Sequence, residues 1–353
     1  LGRSVRGFKE SEKGVAVLLE DEEPLYADMA VLAIGVTPDS ELAREAGLEL
    51  GIKGGILVNE RMETSAPDVY AVGDAVQIRN FVTGEGALIS LAGPANKQAR
   101  IAADNICGGD SRYRGSLGSF AVKVFEMTAA ATGLSESAAK KAGLNVDKVY
   151  LSPLSRAGYY PGAKEMTMKI VFDKESFRLL GAQIVGRDGV DKRIDVIAAA
   201  IRAGLKAGEL KELDLAYAPP YSSAKDPINM AGFIVDNIEK GILKQFHMED
   251  IPKLPRDGSV TLLDTRTRGE YARGHIEGFV NIPVDELRER LDEIEKDRPV
   301  YVMCRTGLRS YIACRILEGR GYTAYNFSGG YLLYEAVTKD RLLSESAAAS
   351  GGN

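Results

Sequence analysis

The stretch VYVMCRTGLRS, residues 300–310, constrains the fold more than any other part of this sequence. Its first four residues are β-branched, aromatic or apolar and predict a strand, whereas Leu308 to Leu317 can form a helix. A strand that enters a helix through a short loop is the unit of a parallel α/β sheet. The strand-like runs VTLLD, FVNIP and TAYNF, separated by charged helical patterns such as DELRERLDEIEKD, extend this interpretation. We therefore expect a small parallel α/β domain over 256–342.

The rest of the chain predicts further domains, because 353 residues exceed what one hydrophobic core usually supports. GVAVLLE at 14–20, MAVLAIG at 29–35 and VYAVGD at 69–74 predict strands, and GPANKQARIAADNI predicts a helix with Pro94 in its first turn. From about 119 the pattern is α+β, with strands AVKVFEM, MTMKIVF and LLGAQIVG and helices at 135–143, 191–205 and 226–239. The proline-containing segment 241–255 predicts a linker, and 343–353 a frayed tail.

Charge and cysteine content exclude several classes of function. The net charge is −5 and the basic residues are interspersed with acidic ones, so nucleic acid is not an expected partner. No apolar run approaches the roughly 20 residues that cross a bilayer, so no membrane partner is expected either. Only Cys107, Cys304 and Cys314 occur, which fits a reducing, cytoplasmic compartment better than a disulfide framework.

Asp74 follows a predicted strand, where an open α/β sheet can present a carboxylate to a polyol. Turn chemistry is an alternative explanation for this aspartate when it is taken alone. The set formed by AIGVTPDSEL at 33–42, TSAPDVYAVGDA at 64–75 and LAGPAN at 91–96 resembles the FAD-dependent pyridine nucleotide-disulfide oxidoreductases.

That resemblance implies FAD and NAD(P)H as cofactors. It implies that Asp74 binds the flavin ribityl chain and that the helix start at Ala95 to Lys97 lies beside the isoalloxazine, where free N–H groups would stabilise negative charge. The implied FAD-binding residues are Ser65, Val72, Gly73, Asp74, Ala75 and Ala95. The implied domains are a remnant of an NAD(P)H-binding domain at 1–35, part of an FAD-binding domain at 36–112 and a dimerisation domain at 113–240. Because the two glycine-rich fingerprints and redox cysteine of that family are not found before the 33–35 turn, we expect an N-terminally truncated chain.

Two aromatic loops, GYYPGAK at 158–164 and YAPPYSSAKDP at 217–227, are stiffened by proline, and simple loop packing could explain them. They resemble the dimerisation domain of coenzyme A-disulfide reductases. The resemblance implies a homodimer in which Tyr159 and Tyr217 act catalytically at the partner's redox cysteine, where a phenol could donate to a departing thiolate. It also implies coenzyme A contacts from Lys97, Tyr159 and Lys225.

Cys304 lies where a helix N-terminus and neighbouring cations can stabilise a thiolate. Its loop consists of Arg305, Thr306, Gly307, Leu308 and Arg309. Four residues separate the cysteine from Arg309, whereas cysteine phosphatases have five, and the tighter loop suits a persulfide or a thiosulfate-like anion. A buried, inert thiol at a strand end is the alternative.

The motifs LLDTR, EYARGHIEGFVNIP, CRTGLR and NFSGGY resemble a single-domain rhodanese. We expect Cys304 to carry sulfane sulfur, Asp264 and His275 to organise loops, and Cys314 and Cys107 to be buried structural thiols.

Together the resemblances predict a multidomain α/β and α+β chain that reduces coenzyme A disulfide, coenzyme A persulfide or polysulfide and carries a fused sulfurtransferase. No metal is expected. The alternatives are an NADH oxidase or peroxidase, and a rhodanese domain that serves only as a sulfur carrier or binding module.

Overall fold

The structure is a computed structural model that describes residues 3–12, 14–20 and 22–339, so the expected tail at 343–353 lies outside the described residues. The chain divides into two compact units, one of Leu1–Thr37 with Tyr334–Asn353 and one of Pro38–Leu333. Among the described helices, none is both long and apolar enough to cross a membrane.

The first unit contains a three-stranded antiparallel sheet of β1 (Val5–Ser11), β2 (Gly14–Leu19) and β3 (Leu25–Ala27). β2 confirms the strand predicted at 14–20. The strand predicted at 29–35 is wrong, because this segment pairs with no strand among the described residues. Its side chains are exposed apart from the half-buried Ala30, with Ile34 at 86%. A run that is apolar on both faces becomes a strand only where neighbours cover both faces.

The second unit begins with a small region around one long helix. It contains α1 (Glu41–Glu45), β4 (Ile56–Leu57), β5 (Val76–Arg79), β6 (Gly86–Ala87) and α2 (Ala92–Ile106). β4 pairs with β5 in parallel and β6 pairs with β5 antiparallel. The predicted helix is confirmed by α2. The strand predicted at 69–74 is wrong, since only Tyr70 forms an isolated bridge there and the strand starts after Asp74.

Cys107 corrects another expectation, because it is exposed where α2 ends. Of the four apolar positions of this helix that suggested a buried face, three are also exposed: Ala99, Ala103 and Ile106, the last at 64%. Only Ala102 among them is fully buried. The buried face of α2 is therefore narrower than the apolar residues of its sequence indicated.

A five-stranded antiparallel sheet with order β7-β8-β11-β10-β9 forms the centre of the second unit. Its elements are β7 (Phe120–Val124), β8 (Met127–Gly133), α3 (Glu136–Lys141), β9 (Val146–Leu151), β10 (Met166–Asp173), β11 (Leu179–Gly186), α4 (Val190–Ala203) and α5 (Pro227–Glu239). AVKVFEM is a hairpin rather than one strand, because the chain reverses at Phe125, where φ is +47°. The other predicted strands and helices of this region are confirmed.

The core of this sheet follows from the alternation in β10. Met166, Met168, Ile170 and Phe172 are fully buried, whereas the residues between the first three are partly exposed. Each such side chain stabilises the fold by about 2 kcal/mol relative to an exposed one. α5 begins at Pro227 after the N-cap Asp226, whose carboxylate accepts the Ile228 N–H.

The last part of the second unit is the predicted parallel α/β sheet, with order β12-β16-β15-β13-β14. Its elements are β12 (Gln245–Phe246), β13 (Thr261–Asp264), α6 (Arg268–Arg273), β14 (Val280–Asn281), β15 (Val300–Met303), α7 (Leu308–Glu318) and β16 (Ala324–Phe327). All its strand pairs are parallel. Residues 330–333, at the end of this unit, are helical.

Two expectations fail at the edges of this sheet. The segment 241–255, expected as a linker, instead contributes the edge strand β12 and a 3-10 turn at Met248–Lys253, because Phe246 and Ile251 are buried in the domain. DELRERLDEIEKD forms two 3-10 turns rather than a helix. The Tyr322 hydroxyl contacts the Leu291 and Ile294 carbonyl oxygens at 2.9 and 3.2 Å, and so competes for acceptors that a continuous helix would use.

Candidate sulfur-transfer and flavin sites

Cys304 follows the last residue of β15 and precedes α7, as the sequence predicts. Its side chain is buried, with 1% exposure. The Gly307 N–H donates to Sγ at 3.1 Å and the Ser310 hydroxyl donates to Sγ at 3.2 Å. Both donors come from the turn that opens α7, so the start of the helix surrounds the sulfur with hydrogen-bond donors.

Two glycines allow the loop to close around this thiol. Gly307, the N-cap of α7, has a φ of +100°, a conformation that other residues rarely adopt. Gly330 has a φ of +65°, and a Cβ there would lie 2.7 Å from the Cys304 carbonyl oxygen. Because Gly330 permits this approach, the Tyr331 N–H reaches the Cys304 oxygen at 2.8 Å and the Leu332 N–H reaches the Arg305 oxygen at 2.9 Å. Backbone hydrogen bonds from the segment that begins with NFSGGY thereby hold the Cys304 loop in place.

The two loop arginines are paired with carboxylates. Arg309 forms a bidentate pair with Glu270, with both N–O distances at 2.7 Å. The hydrogen bonds from Arg309 lower the pKa of Glu270 to about 2, and Thr267 also donates to this carboxylate. Arg305 forms a bidentate pair with Glu165, which precedes β10. The sequence predicted cations beside the sulfur, but the groups that touch it are the neutral donors Gly307 and Ser310.

Ser310 was missed by sequence reasoning. A small hydroxyl residue in the first turn after a loop cysteine was the available signal, because it faces back toward that loop. Its side chain is fully buried, and the Gly307 carbonyl oxygen, 3.1 Å from the hydroxyl, is a second acceptor for its single proton.

The other motif residues of this domain support the loops. Asp264 is fully buried and forms an ion pair with Arg266, whose guanidinium carbon lies 3.9 Å from the centre of the Tyr331 ring. The His275 ring stacks on Tyr271 at 4.0 Å. Cys314 is buried within α7, and burial raises the pKa of its thiol well above the usual range.

The two predicted catalytic tyrosines come together from separate loops. The hydroxyl oxygens of Tyr159 and Tyr217 are 3.2 Å apart, and the two side chains are 78% and 45% exposed. The hydrogen bond with Tyr159 raises the pKa of Tyr217. The loops are tied by the Ala157 N–H, which donates to the Ser222 carbonyl at 2.9 Å. This pair presents two phenol hydroxyls at the surface.

Lys225 lines a cavity of about 400 Å³ that also borders Thr306, Gly307 and Leu308 of the Cys304 loop. Lys97 does not line this cavity and is exposed on α2. The structure therefore places one of the two predicted coenzyme A lysines beside the Cys304 loop.

Four of the six predicted flavin-binding residues, at 72–75, form an open turn directly before β5. The Gly73 N–H donates to the buried Gln98 at 2.7 Å, and Gly73 has a φ of +92° with open space where a Cβ would lie. Asp74 and Val72 are exposed and Ala75 is half-buried. The Ser65 hydroxyl accepts the Glu49 N–H at 2.9 Å.

The start of α2 corrects one detail of the expected flavin contact. The Ala95 N–H donates to the Leu91 carbonyl at 3.1 Å, so this donor is used within the helix. The helix begins at Ala92 without a side-chain cap, which places the N–H groups of Ala92 and Gly93 at its positive end. With the exposed Asp74, this end fits one edge of a flavin site: a carboxylate for the ribityl hydroxyls and donors for a negative charge.

Family comparisons agree with both regions. Residues 1–99 match the family model described as pyridine nucleotide-disulphide oxidoreductase, and 119–227 match the dimerisation domain of that family. Residues 248–336 match the rhodanese-like domain. The chain joins a pyridine nucleotide-disulphide oxidoreductase segment to a rhodanese-like domain. The resemblances read from its motifs are thus confirmed.

Solved structures and a curated protein are similar to this oxidoreductase–rhodanese chain. The reduced CoADR-RHD protein of Bacillus anthracis has a TM-score of 0.90 and 45% identity over 96% of this chain and 60% of that one. An NAD-dependent persulfide reductase from A. fulgidus has a TM-score of 0.85 and 39% identity over 93% and 59%. The NAD(P)H coenzyme A polysulfide/persulfide reductase of Pyrococcus horikoshii is 38% identical over 62% of this chain and 49% of its own length. The chain therefore spans about half the length of this curated relative.

Proposed function

We propose that the complete protein is an FAD- and NAD(P)H-dependent reductase of coenzyme A disulfide, coenzyme A persulfide or polysulfide, and that its rhodanese-like domain transfers sulfane sulfur through Cys304. The observation that carries this proposal is the Cys304 loop: its thiol accepts hydrogen bonds from two neutral donors. Its residues Thr306 and Gly307 border a cavity that Lys225 of the dimerisation domain also lines. The names of the similar proteins support the same chemistry.

On the flavin side, we assign Asp74 and the start of α2 to the cofactor, with Ser65, Val72, Gly73, Ala75 and Ala95 around them. FAD supplies two-electron redox chemistry when it is bound. The proposed domains are an NAD(P)H-binding remnant at 1–35, part of an FAD-binding domain at 36–112, a dimerisation domain at 113–240 and a rhodanese domain at 256–342. The last of these also takes in the edge strand β12.

On the substrate side, Lys225 offers a point charge to a coenzyme A phosphate, and Lys97 and Tyr159 are assigned to the same ligand. The phenol groups of Tyr159 and Tyr217 donate a hydrogen bond to a leaving thiolate. We assign these tyrosines to the partner's site in a cytoplasmic homodimer.

Stopped-flow measurements on the complete protein test the reductase. The NAD(P)H-reduced protein is mixed with coenzyme A disulfide, coenzyme A persulfide, polysulfide or hydrogen peroxide, and flavin absorbance is followed. We expect rapid reoxidation by at least one sulfur substrate. Reoxidation by peroxide alone would instead identify an NADH oxidase or peroxidase.

A Cys304→Ser variant tests the rhodanese-like domain, with Cys314→Ser as the matched control. We expect Cys304→Ser to lower sulfur transfer to cyanide by at least about a thousandfold, because the nucleophile is lost, and Cys314→Ser to leave it within about threefold. Full persulfide reduction by the Cys304→Ser protein would mean that the domain is only a carrier or binding module.

A further inference from the structure

Glu165 connects the dimerisation domain to the Cys304 loop. It lies immediately before β10 and three residues after Gly162 of the loop that carries Tyr159. Both of its carboxylate oxygens bind the Arg305 guanidinium, one of them at 3.0 Å. The sequence separation is 140 residues, so the residue that neutralises the first loop cation lies outside the rhodanese-like domain.

The second loop cation is neutralised within the domain. Arg309 is held by Glu270, and this carboxylate also accepts the Thr267 hydroxyl and N–H at 2.9 Å each. With both arginines paired, the net side-chain charge of these four residues is zero. The donors that remain for a ligand at the sulfur are an N–H and a hydroxyl.

The cavity beside the loop is mostly apolar. It runs from α5 to the start of α7, and its apolar walls are formed by Met230, Phe233, Ile234, Leu243, Leu308 and Tyr311. A small inorganic dianion gains nothing from such walls and loses hydration beside them. An organic chain gains by burying its methylene groups there.

We propose that Glu165 determines the donor specificity of Cys304: by holding Arg305, it disfavours inorganic dianions such as thiosulfate and leaves alkyl persulfides as the preferred sulfur donors. This inference rests on the proposed sulfur transfer at Cys304. The Cys304 thiolate attacks the terminal sulfur of R–S–S–H, a new Sγ–S bond forms and the S–S bond of the donor breaks. The products are Cys304–S–S–H and R–S⁻, so charge and electrons balance without another reagent.

A dianionic donor must be bound by unpaired cations, because its hydration is strong and an apolar wall does not replace it. Arg305 can provide such a contact only by leaving Glu165. A singly charged or neutral persulfide does not require this exchange. Removing the Glu165 charge should therefore strengthen the binding of thiosulfate and leave the use of the alkyl persulfide nearly unchanged.

Glu165→Gln in the complete protein tests this inference, with Glu318→Gln as the matched control. Glu318 also pairs with an arginine, Arg315, but on α7 away from the loop motif. Initial rates of sulfur transfer to cyanide are measured with thiosulfate and with glutathione persulfide. We expect Glu165→Gln to lower KM for thiosulfate about fivefold to tenfold, and to change kcat/KM for the persulfide by less than about twofold. Glu318→Gln should change neither.

An Arg305→Ala background separates this effect from a general structural one. In that background, Glu165→Gln should no longer lower KM for thiosulfate, because the Arg305 guanidinium that it would release is absent. Equal changes with both donors, or a thiosulfate KM that does not fall, would overturn the role of Glu165 while sulfur transfer itself stands. Sulfur transfer that persists in the Cys304→Ser protein would instead overturn the proposed function. The two failures are therefore distinguishable.

Discussion

The Cys304 loop and the turn at Gly73 and Asp74 are opposite kinds of site. Around Cys304, the thiol is buried and the loop carbonyls and cations have partners within the chain. At the turn, Asp74 is exposed, and its carboxylate accepts no hydrogen bond from the described residues. Substitutions in the loop should therefore cost folding free energy, whereas substitutions in the turn should cost mainly ligand affinity.

Gly330→Ala should produce the largest loss of stability in this comparison. The new Cβ would lie 2.7 Å from the Arg305 and Cys304 carbonyl groups at a positive φ, so the backbone must move. We expect a cost of about 2–4 kcal/mol in the free energy of unfolding, measured by urea titration with far-UV circular dichroism. Gly258→Ala is the control, because Gly258 has a φ of +86° but its nearest neighbour is a flexible arginine end at 3.7 Å. Equal losses in the two variants would contradict a closed loop.

Glu270→Gln should have an intermediate effect that depends on pH. The folded-state pKa of Glu270 is lowered to about 2, chiefly by hydrogen bonds from Arg309. A depressed carboxyl pKa stabilises the fold above the unfolded value of about 4.3, and this contribution is lost as pH falls toward 2. With solvent screening, we expect a cost of about 1–2 kcal/mol at pH 7.

The measurement is the difference between wild type and Glu270→Gln in urea titrations at pH 7, 4 and 3. The difference should shrink steadily as pH falls. Glu293→Gln, which breaks a more exposed pair with Arg290, should cost less than Glu270→Gln at pH 7. A Glu270 difference that is constant with pH would show that the ion pair does not stabilise the loop.

The two regions also differ in how well the sequence predicted them. The strand, loop and helix around Cys304 are contiguous, so local patterns were sufficient for β15 and α7. The runs at 29–35 and 69–74 are apolar on both faces. They do not form strands because, apart from the isolated bridge of Tyr70, the described residues give them no neighbours on a sheet. A strand depends on its partners as well as on its own composition.

The charge around Cys304 could not be predicted for a similar reason. Arg305 and Arg309 were identified as cations, but their carboxylates are 140 and 39 residues away in the sequence. Nothing in a local pattern indicates that Glu165 and Glu270 reach them. Long-range pairs of this kind decide whether a loop is cationic or neutral, and therefore which sulfur donor it can bind.

Asp74→Asn should have the smallest effect on stability and so provides the sharpest contrast with the loop. The exposed carboxylate has no partner to lose among the described residues, so the free energy of unfolding without flavin should change by less than about 0.5 kcal/mol. In the complete protein, loss of a charged acceptor for the ribityl hydroxyls should weaken FAD binding about tenfold, measured by flavin fluorescence during titration. Asp214→Asn, at an exposed aspartate outside the turn, should alter neither quantity. If Asp74→Asn instead destabilised the flavin-free protein as strongly as Glu270→Gln, the turn would be a structural element, and its assignment as a ligand-binding edge would fail.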